Sequence, residues 1–346
     1  SVAHSHERVT PFLPGLKSIL VDTDGCTDIS QLKTMLGETE PGETMLGETE
    51  PGGTQKWVIF TTFASFVEII PKLLSASCFA ETFLLIDEVH NAVNSSTLCE
   101  LANAFRHSLY LSATVPEELS DNLDFEEVFS YNIRTAINEG VCVDYEVFVP
   151  YLEDYEFESR DGAKQVADLR AKQVPDLRAK AMYLATGILR TGKRRCIVYL
   201  ANIQESLAFE QEILSVFNDY HGITIDTFQM NCNTTKAERQ SILNAFGSSS
   251  RYDRIKIFAN VRILNEAVDI VPCDSVFLTK VGDSTNDITT VQRLGRALRK
   301  DPCNPTKTAA LFLWCDDYGD TVQSLQLLKQ EDVQFHAMVR VLNGSY

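Results

Sequence analysis

The chain lacks the features that would assign it to a membrane or a secreted class. Its 346 residues contain no apolar run near the roughly 20 residues that span a bilayer. Apolar stretches such as Phe83–Ile86 and Cys196–Leu200 are far shorter. The first ten residues hold no apolar block, so no secretory signal is recognised. We therefore expect an intracellular protein.

Paired cysteines are also missing. The chain has nine cysteines, and none of them forms a Cys-x-x-Cys pair. This spacing indicates neither a zinc site nor a dithiol redox motif. Single cysteines scattered along a chain of this length are typical of a reducing compartment, where they act as small buried side chains.

Basic charge is the minority. Lys and Arg number 31 against 48 Asp and Glu, for a formal net charge of −17. That balance argues against a surface that binds nucleic acid everywhere, although it leaves room for a local basic groove. Basic residues do cluster, at Lys193–Arg195 and at 293–300. The acidic stretches at 37–50 and 153–161 are interpreted as solvated loops.

Two short tandem duplications interrupt the chain. Thr34–Glu43 is repeated at Thr44–Gly53, and Ala163–Arg170 is repeated at Ala171–Arg178. Each unit is shorter than a solenoid repeat and occurs only twice. We interpret both as duplicated surface sequence, because lengthening a loop costs little free energy. Binding repeats are the alternative.

Elsewhere strands alternate with helices, which predicts an α/β fold with parallel sheets. The pattern restarts near residue 145, so two such sheets are expected. The predicted strands are Trp57–Phe60, Phe83–Ile86, Ser108–Leu111, Cys196–Leu200, Ile223–Phe228, Ile255–Phe258, Ser275–Thr279 and Ala309–Trp314. The predicted helices are Ala64–Leu74, one opened by Asn202 with Glu205 as a capping box, Lys236–Phe246, Asp287–Arg299 and Thr321–Val341. The expected boundaries are a first domain at 1–140, a linker at 141–180, a second domain at 181–320 and a terminal helix at 321–346.

The stretch FLLIDEVH delivers two acidic side chains to the end of a strand. In open α/β sheets, ligands bind at the carboxyl ends of the strands. Asp87 can hold Mg²⁺ through water, and Glu88 can orient or deprotonate an attacking water. An exposed acidic loop is the alternative for this pair alone.

Three further motifs follow strands in the same way. Ser112-Ala113-Thr114 could hydrogen-bond neighbouring carboxylates or form a turn. In RILNEAVDIVPCD, Glu266 and Asp269 could contact a ribose or accept hydrogen bonds from arginines, or lie in a polar loop. In QRLGRALR, helical spacing puts Gln292, Arg296 and Arg299 on one face. Two arginines there can reach one polyphosphate, as arginine fingers do, unless the face is merely solvated.

Taken in order, DEVH, SAT, LNEAVDI and QRLGRALR resemble motifs II, III, V and VI of the superfamily-two DExH-box helicases. TTFASF, Thr61–Phe66, resembles the nucleic-acid-contacting motif Ic, and IVYLANIQES resembles motif IV. The stretch Tyr131–Pro150 resembles the crossover between two RecA-like domains. The resemblance extends over about residues 55–315. It implies two RecA-like parallel-sheet domains in tandem, the first incomplete, in an ATP-dependent nucleic-acid helicase or translocase.

The resemblance also implies roles, with ATP and Mg²⁺ as cofactors. Asp87, Glu88, Arg296 and Arg299 would be catalytic. The resemblance assigns nucleotide binding or coupling to His90, Ser112, Thr114, Glu266, Asp269 and Gln292. It assigns nucleic-acid contacts to Thr61, Thr62, Ser65, Asn202 and Asn265. Such contacts use small donors and backbone N–H groups, so they are compatible with an acidic chain.

The sequence departs from this family in one important respect. No G-x-x-x-x-G-K-[ST] loop is present, and Gly15-Leu16-Lys17-Ser18 and Gly192-Lys193-Arg194 are poor substitutes. We therefore expect a fragment whose phosphate loop lies upstream, with very weak or no ATP binding by the chain alone. A smaller departure is Ala267, where the family usually has glycine.

Two functions remain open at this point. The first is an ATP-driven motor, with DNA favoured over RNA because QRLGRALR and LNEAVDI look most like Res-type translocases. The second is a non-catalytic interaction module that keeps the helicase fold without turnover. The missing loop favours the module, whereas the acidic and arginine motifs together favour the motor.

Overall fold

The computed structural model describes residues 2–13, 15–22, 25–36, 56–92, 95–112, 117–150, 177–231, 234–248, 254–261, 272–279, 288–315 and 318–342. The chain divides into two compact units, Ser1–Val128 and Phe129–Tyr346. The break falls earlier than the boundary at 140 that the sequence predicts.

The first unit is α/β, with two parallel strand pairs, β1–β2 and β3–β4. Its strands are β1 Lys17–Val21, β2 Trp57–Thr61, β3 Phe83–Ile86 and β4 His107–Tyr110. Its helices are α1 Val2–Val9, α2 Ile29–Leu36, α3 Phe63–Leu73, α4 Ala76–Glu81, α5 Ser96–Asn103 and α6 Glu117–Asn122. One apolar core joins the strands to α2, α3 and α5.

The strand β3 is apolar along its whole length, a pattern typical of a central parallel strand that is buried on both faces. Leu84 and Ile86 are buried, but Phe83 and Leu85 are 61% and 54% exposed. Successive side chains of a strand point to opposite faces, so only one face of β3 lies on the core of the described residues.

The second unit contains a seven-stranded, all-parallel sheet in the order β11-β5-β10-β9-β6-β8-β7. Its strands are β5 Tyr145–Pro150, β6 Arg195–Tyr199, β7 Asp226–Met230, β8 Lys256–Asn260, β9 Ser275–Leu278, β10 Ala309–Leu313 and β11 Val339–Leu342. Its helices are α7 Ile133–Asn138, α8 Leu177–Thr191, α9 Ile203–Ser215, α10 Lys236–Gly247, α11 Ile288–Leu298, α12 Tyr318–Glu331 and α13 Phe335–Met338. The α/β class with parallel sheets is thus confirmed.

Every residue of β6, β8, β9 and β10 is buried. Two separate apolar cores explain this. In β6, Ile197 and Tyr199 belong to the core that includes α11 and α12, whereas Cys196 and Val198 belong to the core that includes α8 and α9. Helices therefore cover both faces, which is the arrangement that parallel strands require.

The end of the chain corrects the sequence analysis. The helix predicted over Thr321–Val341 ends at Glu331, and Val339–Leu342 is a strand paired with β5. The strand Tyr145–Pro150 itself falls inside the predicted linker. Val339–Leu342 has only four residues and little periodicity of its own, so its pairing with β5 decides its conformation.

The other predicted elements are present with shifted ends. The largest shift is Ile223–Phe228, which the structure moves to Asp226–Met230. Of the duplications, only the first residues of one and the last of the other are described: Thr34–Leu36 ends α2, and Leu177 begins α8. The remaining parts lie outside the described residues.

Candidate nucleotide and nucleic-acid sites

In the first unit, the DEVH motif follows β3 directly. The β3–β4 pairing continues past both strands, because Leu111 N–H donates to the Ile86 carbonyl (2.8 Å) and Val89 N–H donates to the Leu111 carbonyl (3.0 Å). These bonds place the residues after the two strands side by side. Asp87 is exposed, and its Oδ1 accepts the Glu88 N–H at 3.0 Å.

Glu88 has an unusual backbone. Its φ is +53°, which no other non-glycine residue in the described ranges shares on the positive side. A left-handed conformation costs a non-glycine residue about 1–2 kcal/mol. Strain of this kind is concentrated at functional sites, where it fixes the direction of a side chain.

His90 links the two motifs. Its ring is buried, and Nδ1 lies 3.0 Å from the Ser112 hydroxyl and 3.4 Å from Glu88 Oε2. The tautomer decides whether Nδ1 donates or accepts. Both contacts are made by the same nitrogen, so a change at the Glu88 carboxylate changes how Nδ1 bonds to Ser112.

Thr61, Thr62 and Ser65 surround the start of α3. Thr61 ends β2, and Thr62 is the N-cap of α3, where its hydroxyl accepts the Ser65 N–H at 3.2 Å. The Thr62 hydroxyl also donates to the Ser65 Oγ at 3.1 Å. Capping already engages the Thr62 hydroxyl, whereas the Ser65 hydroxyl keeps its proton for an outside acceptor.

Asn202 has the same position in the second unit, after β6. Its side-chain oxygen accepts the Glu205 N–H at 2.9 Å, so it caps α9 as predicted. The predicted capping box does not form, because the Glu205 carboxylate accepts the Ala201 N–H at 2.9 Å instead of the Asn202 N–H. Both candidate nucleic-acid segments thus combine a strand end with a side-chain-capped helix.

The arginine motif lies on α11, and the structure corrects its geometry. The helix ends at Leu298, so Arg299 lies beyond it and forms an antiparallel bridge with Cys142. Arg296 is 7% exposed, while Gln292 and Arg299 are half-buried. A merely solvated basic face is therefore excluded for Arg296.

The sequence analysis missed two residues next to Arg296. Arg293 is also 7% exposed, and its guanidinium stacks on the Tyr199 ring at 4.6 Å from the centroid. Burial raises the pKa of the Tyr199 phenol, and the charges of Arg296 and Arg293 oppose that rise. Arg293 was visible within QRLGRALR, but nothing in the sequence indicated that Tyr199, at the end of β6, would lie beneath it.

Four predicted site residues cannot be placed. Thr114, Asn265, Glu266 and Asp269 lie outside the described residues, and so does Ala267. Within the described ranges, no three His, Cys, Asp or Glu side chains gather into a possible metal site. The same ranges contain no helix with the length and apolar character needed to cross a bilayer.

Comparison with known families identifies the second unit. Residues 179–301 match the model of the helicase conserved C-terminal domain. The match covers 123 of the 346 residues, all of them in the second unit. Both α11 and the predicted motifs IV to VI lie within the matched range, which confirms the resemblance to superfamily-two helicases. None of the curated proteins compared matches the chain in sequence.

Solved structures share the fold beyond that domain. The Type ISP restriction-modification enzyme LlaBIII bound to DNA is similar over 95% of this chain, with 16% identity and a TM-score of 0.71. The related enzyme LlaGI, in complex with a DNA substrate mimic, is similar over 99%, with 16% identity and a TM-score of 0.61. S. cerevisiae Dbp5 bound to RNA and ADP BeF3 is similar over 99%, covering 75% of that protein, with 13% identity and a TM-score of 0.51.

The chain spans only 26% and 25% of the two restriction enzymes. At such identities the likeness shows the fold, which is the RecA-like α/β arrangement expected from the sequence. Activity, substrate and partners are separate questions.

Proposed function

We propose that this chain is part of an ATP-driven helicase or translocase that moves on nucleic acid, with DNA favoured over RNA. The observation that carries the proposal is the match of residues 179–301 to the helicase conserved C-terminal domain. The two buried arginines of α11, Arg293 and Arg296, lie inside the matched range. A guanidinium held in a protein interior is already oriented and partly desolvated, so it interacts strongly with a phosphate that reaches it.

The first unit would supply the water-activating side chains. Mg²⁺ prefers oxygen ligands and usually keeps several waters, so one exposed carboxylate such as Asp87 suits it. Bound Mg²⁺ would neutralise charge on the phosphates of ATP. Glu88 would hold the attacking water, with its direction fixed by the strained backbone. His90 and Ser112 would couple changes at the Glu88 carboxylate to the rest of the unit, because His90 Nδ1 contacts both side chains.

The second unit would supply the cations. Gln292, Arg296 and Arg299 would contact the phosphates, and Glu266 and Asp269 would contact the ribose or the arginines. Thr114 would act with Ser112. This division of labour requires that the acidic and the arginine groups reach the same triphosphate.

Nucleic acid would contact the small polar residues Thr61, Thr62, Ser65, Asn202 and Asn265. Contacts of such residues with backbone phosphates position a nucleic acid without reading its bases. The preference for DNA is supported by the likeness of QRLGRALR and LNEAVDI to Res-type translocases, and the two restriction enzymes of similar fold were solved with DNA or a DNA mimic.

Glu88→Gln tests the proposal. This substitution removes the negative charge but keeps the size and hydrogen-bonding capacity of the side chain. In a longer protein that joins this chain to a phosphate-binding loop, we expect nucleotide binding to remain and phosphate release to fall at least about 100-fold, since general-base catalysis contributes 10²–10⁴. Glu100→Gln, at an exposed position on α5, is the matched control and should hydrolyse ATP normally.

The assay is phosphate release with no nucleic acid, with single-stranded and double-stranded DNA, and with RNA. Stimulation by DNA above that by RNA supports the stated preference, and the reverse order overturns it. Normal turnover by Glu88→Gln contradicts the assigned role. Nucleic-acid binding without hydrolysis by the wild type would instead establish the non-catalytic module.

A further inference from the structure

The connecting segment, residues 129–144 at the start of the second unit, is held to the rest of that unit by a buried ion pair. Arg134 on α7 donates from Nε to Asp332 Oδ1 (3.0 Å) and from Nη2 to Asp332 Oδ2 (2.6 Å). Arg134 is 6% exposed and Asp332 is fully buried. Two parallel hydrogen bonds between planar groups fix orientation as well as distance.

Further bonds extend this contact. Tyr145 O–H donates to Asp332 Oδ2 at 2.9 Å, and Gln334 N–H donates to Oδ1 at 2.8 Å. Arg134 Nη1 reaches Asp144 Oδ1 at 3.3 Å. Through its guanidinium, Arg134 therefore bonds α7 both to Asp332, the residue after α12, and to Asp144, the residue before β5.

The same segment then reaches the arginine motif. After α7 the chain turns at Gly140, whose φ is +68°, and Cys142 forms an antiparallel bridge with Arg299. Val143 N–H donates to the Leu298 carbonyl at 2.9 Å. The backbone at the end of α11 is thus hydrogen-bonded to the connecting segment at Val143, only nine residues from Arg134.

A lysine also bonds to the same backbone. Lys307 Nζ donates to the Arg299 carbonyl at 2.6 Å. The main chain of Arg299 is therefore fixed between the connecting segment and Lys307, while its side chain is half-buried. The direction in which that side chain leaves the backbone depends on both supports.

We propose that Arg134 and Asp332 are positioning residues for Arg299: their ion pair holds the connecting segment so that its Cys142–Val143 backbone fixes the end of α11. The inference rests on the proposed function, because it takes Arg299 to contact a phosphate of ATP. Stability alone is a poor reason for the pair, because well-packed apolar residues replace buried ion pairs with little loss. What such residues cannot reproduce is the bidentate orientation of α7.

Cys142 provides a direct probe in the 346-residue chain. Its thiol is half-buried beside Arg299, whereas Cys303 is exposed and serves as an internal reference. The test is the rate at which iodoacetamide alkylates each cysteine, followed by peptide mass spectrometry. In Asp332→Asn, the rate at Cys142 relative to Cys303 should rise at least about fivefold.

Two further variants separate positioning from folding. Arg134→Met with Asp332→Leu removes the pair but leaves no buried charge, so the unit should stay folded by circular dichroism while Cys142 still becomes reactive. Arg178→Met removes an exposed ion pair with Glu212 and should leave the Cys142 rate unchanged. An unchanged Cys142 rate in both pair variants, with the fold intact, overturns the inference.

The functional arm measures phosphate release stimulated by nucleic acid, on the longer, loop-containing protein in which Glu88→Gln is tested, because the chain alone is expected to bind ATP very weakly or not at all. The double variant should lower kcat at least tenfold with KM within about twofold, matching Arg299→Lys. If the wild type hydrolyses ATP and only Arg299→Lys is impaired, the positioning role is wrong while the proposed function stands. If the wild type hydrolyses no ATP, the proposed function fails, and Cys142 alkylation still decides whether the pair holds Arg299.

Discussion

Lys256, the first residue of β8, should control the stability of the second unit. It is 3% exposed, and its ammonium group donates to the Ala245 carbonyl (2.6 Å), the Ser248 carbonyl (2.7 Å) and the Ser248 hydroxyl (3.1 Å). The last carbonyls of a helix have no partner inside the helix. Lys256 therefore satisfies the C-terminal end of α10 from within the sheet.

Lys256→Met keeps the length of the side chain and removes the donor. The Ala245 and Ser248 carbonyls belong to exposed residues, and Arg195 also donates to the Ser248 carbonyl (3.2 Å), so the cost is that of losing hydrogen bonds to a charged group, about 1.5–3 kcal/mol each. Removing the charge recovers part of the free energy that burying the ammonium cost. The balance for two carbonyls is a loss of about 2–4 kcal/mol. In a unit of this size that lowers Tm by about 5–15 °C.

Thermal unfolding followed by circular dichroism measures the loss, and amide hydrogen exchange locates it. Relative to the wild type, we expect the exchange rate in Lys256→Met to rise at the last turn of α10 and to stay unchanged in β6. Lys329→Met, an exposed lysine on α12, is the control and should change the free energy of unfolding by less than about 0.5 kcal/mol. A Lys256→Met protein within about 1 kcal/mol of the wild type would refute the reasoning.

Three other outcomes follow from the same geometry. Ser112→Ala should shift the His90 ring nitrogen resonances and lower the free energy of unfolding by less than about 1.5 kcal/mol. Ser108 is an exposed residue on β4, and Ser108→Ala should change neither those resonances nor the free energy of unfolding. Tyr199→Phe keeps the ring under Arg293 and removes a buried hydroxyl that lacks a hydrogen-bond partner of ordinary geometry, so it should be nearly neutral. Tyr199→Leu should cost about 2–3 kcal/mol by chemical unfolding through lost packing and cation–π contact. Burial raises the pKa of Asp332, but its hydrogen bonds from Arg134, Gln334 and Tyr145 outweigh burial and hold it below the usual value. This carboxylate therefore stabilises the fold above about pH 4 and loses that contribution as pH falls through its folded pKa, a loss that Asp332→Asn should not show.

The sequence predicted the fold class well because strand and helix periodicities are local. β3 occupies the predicted residues, and DEVH follows it as expected. The predictions failed where a distant partner decides the structure. Val339–Leu342 is a strand because β5 pairs with it, and no local pattern distinguishes these four residues from the end of a helix.

Side-chain burial was the second limit. Helical spacing correctly grouped part of the arginine motif, but it could not say which face of α11 would meet the sheet. The buried positions Val291, Leu294 and Leu298 form one apolar stripe, and the helical spacing puts Arg293 outside that stripe although it is also buried.

The contact between His90 and Ser112 shows how the two limits combine. The residues are 22 positions apart, and neither one predicts the other. Parallel pairing of β3 with β4 aligns Ile86 with Tyr110, so the residues that follow each strand must emerge at the same edge. Sheet register thus converts two weak motifs into one site. The same reasoning in the second unit brings Tyr199, at the end of β6, under the arginines that follow β9. In both units the strand ends assemble the candidate chemistry, and this is why motif order was informative before any distance was known.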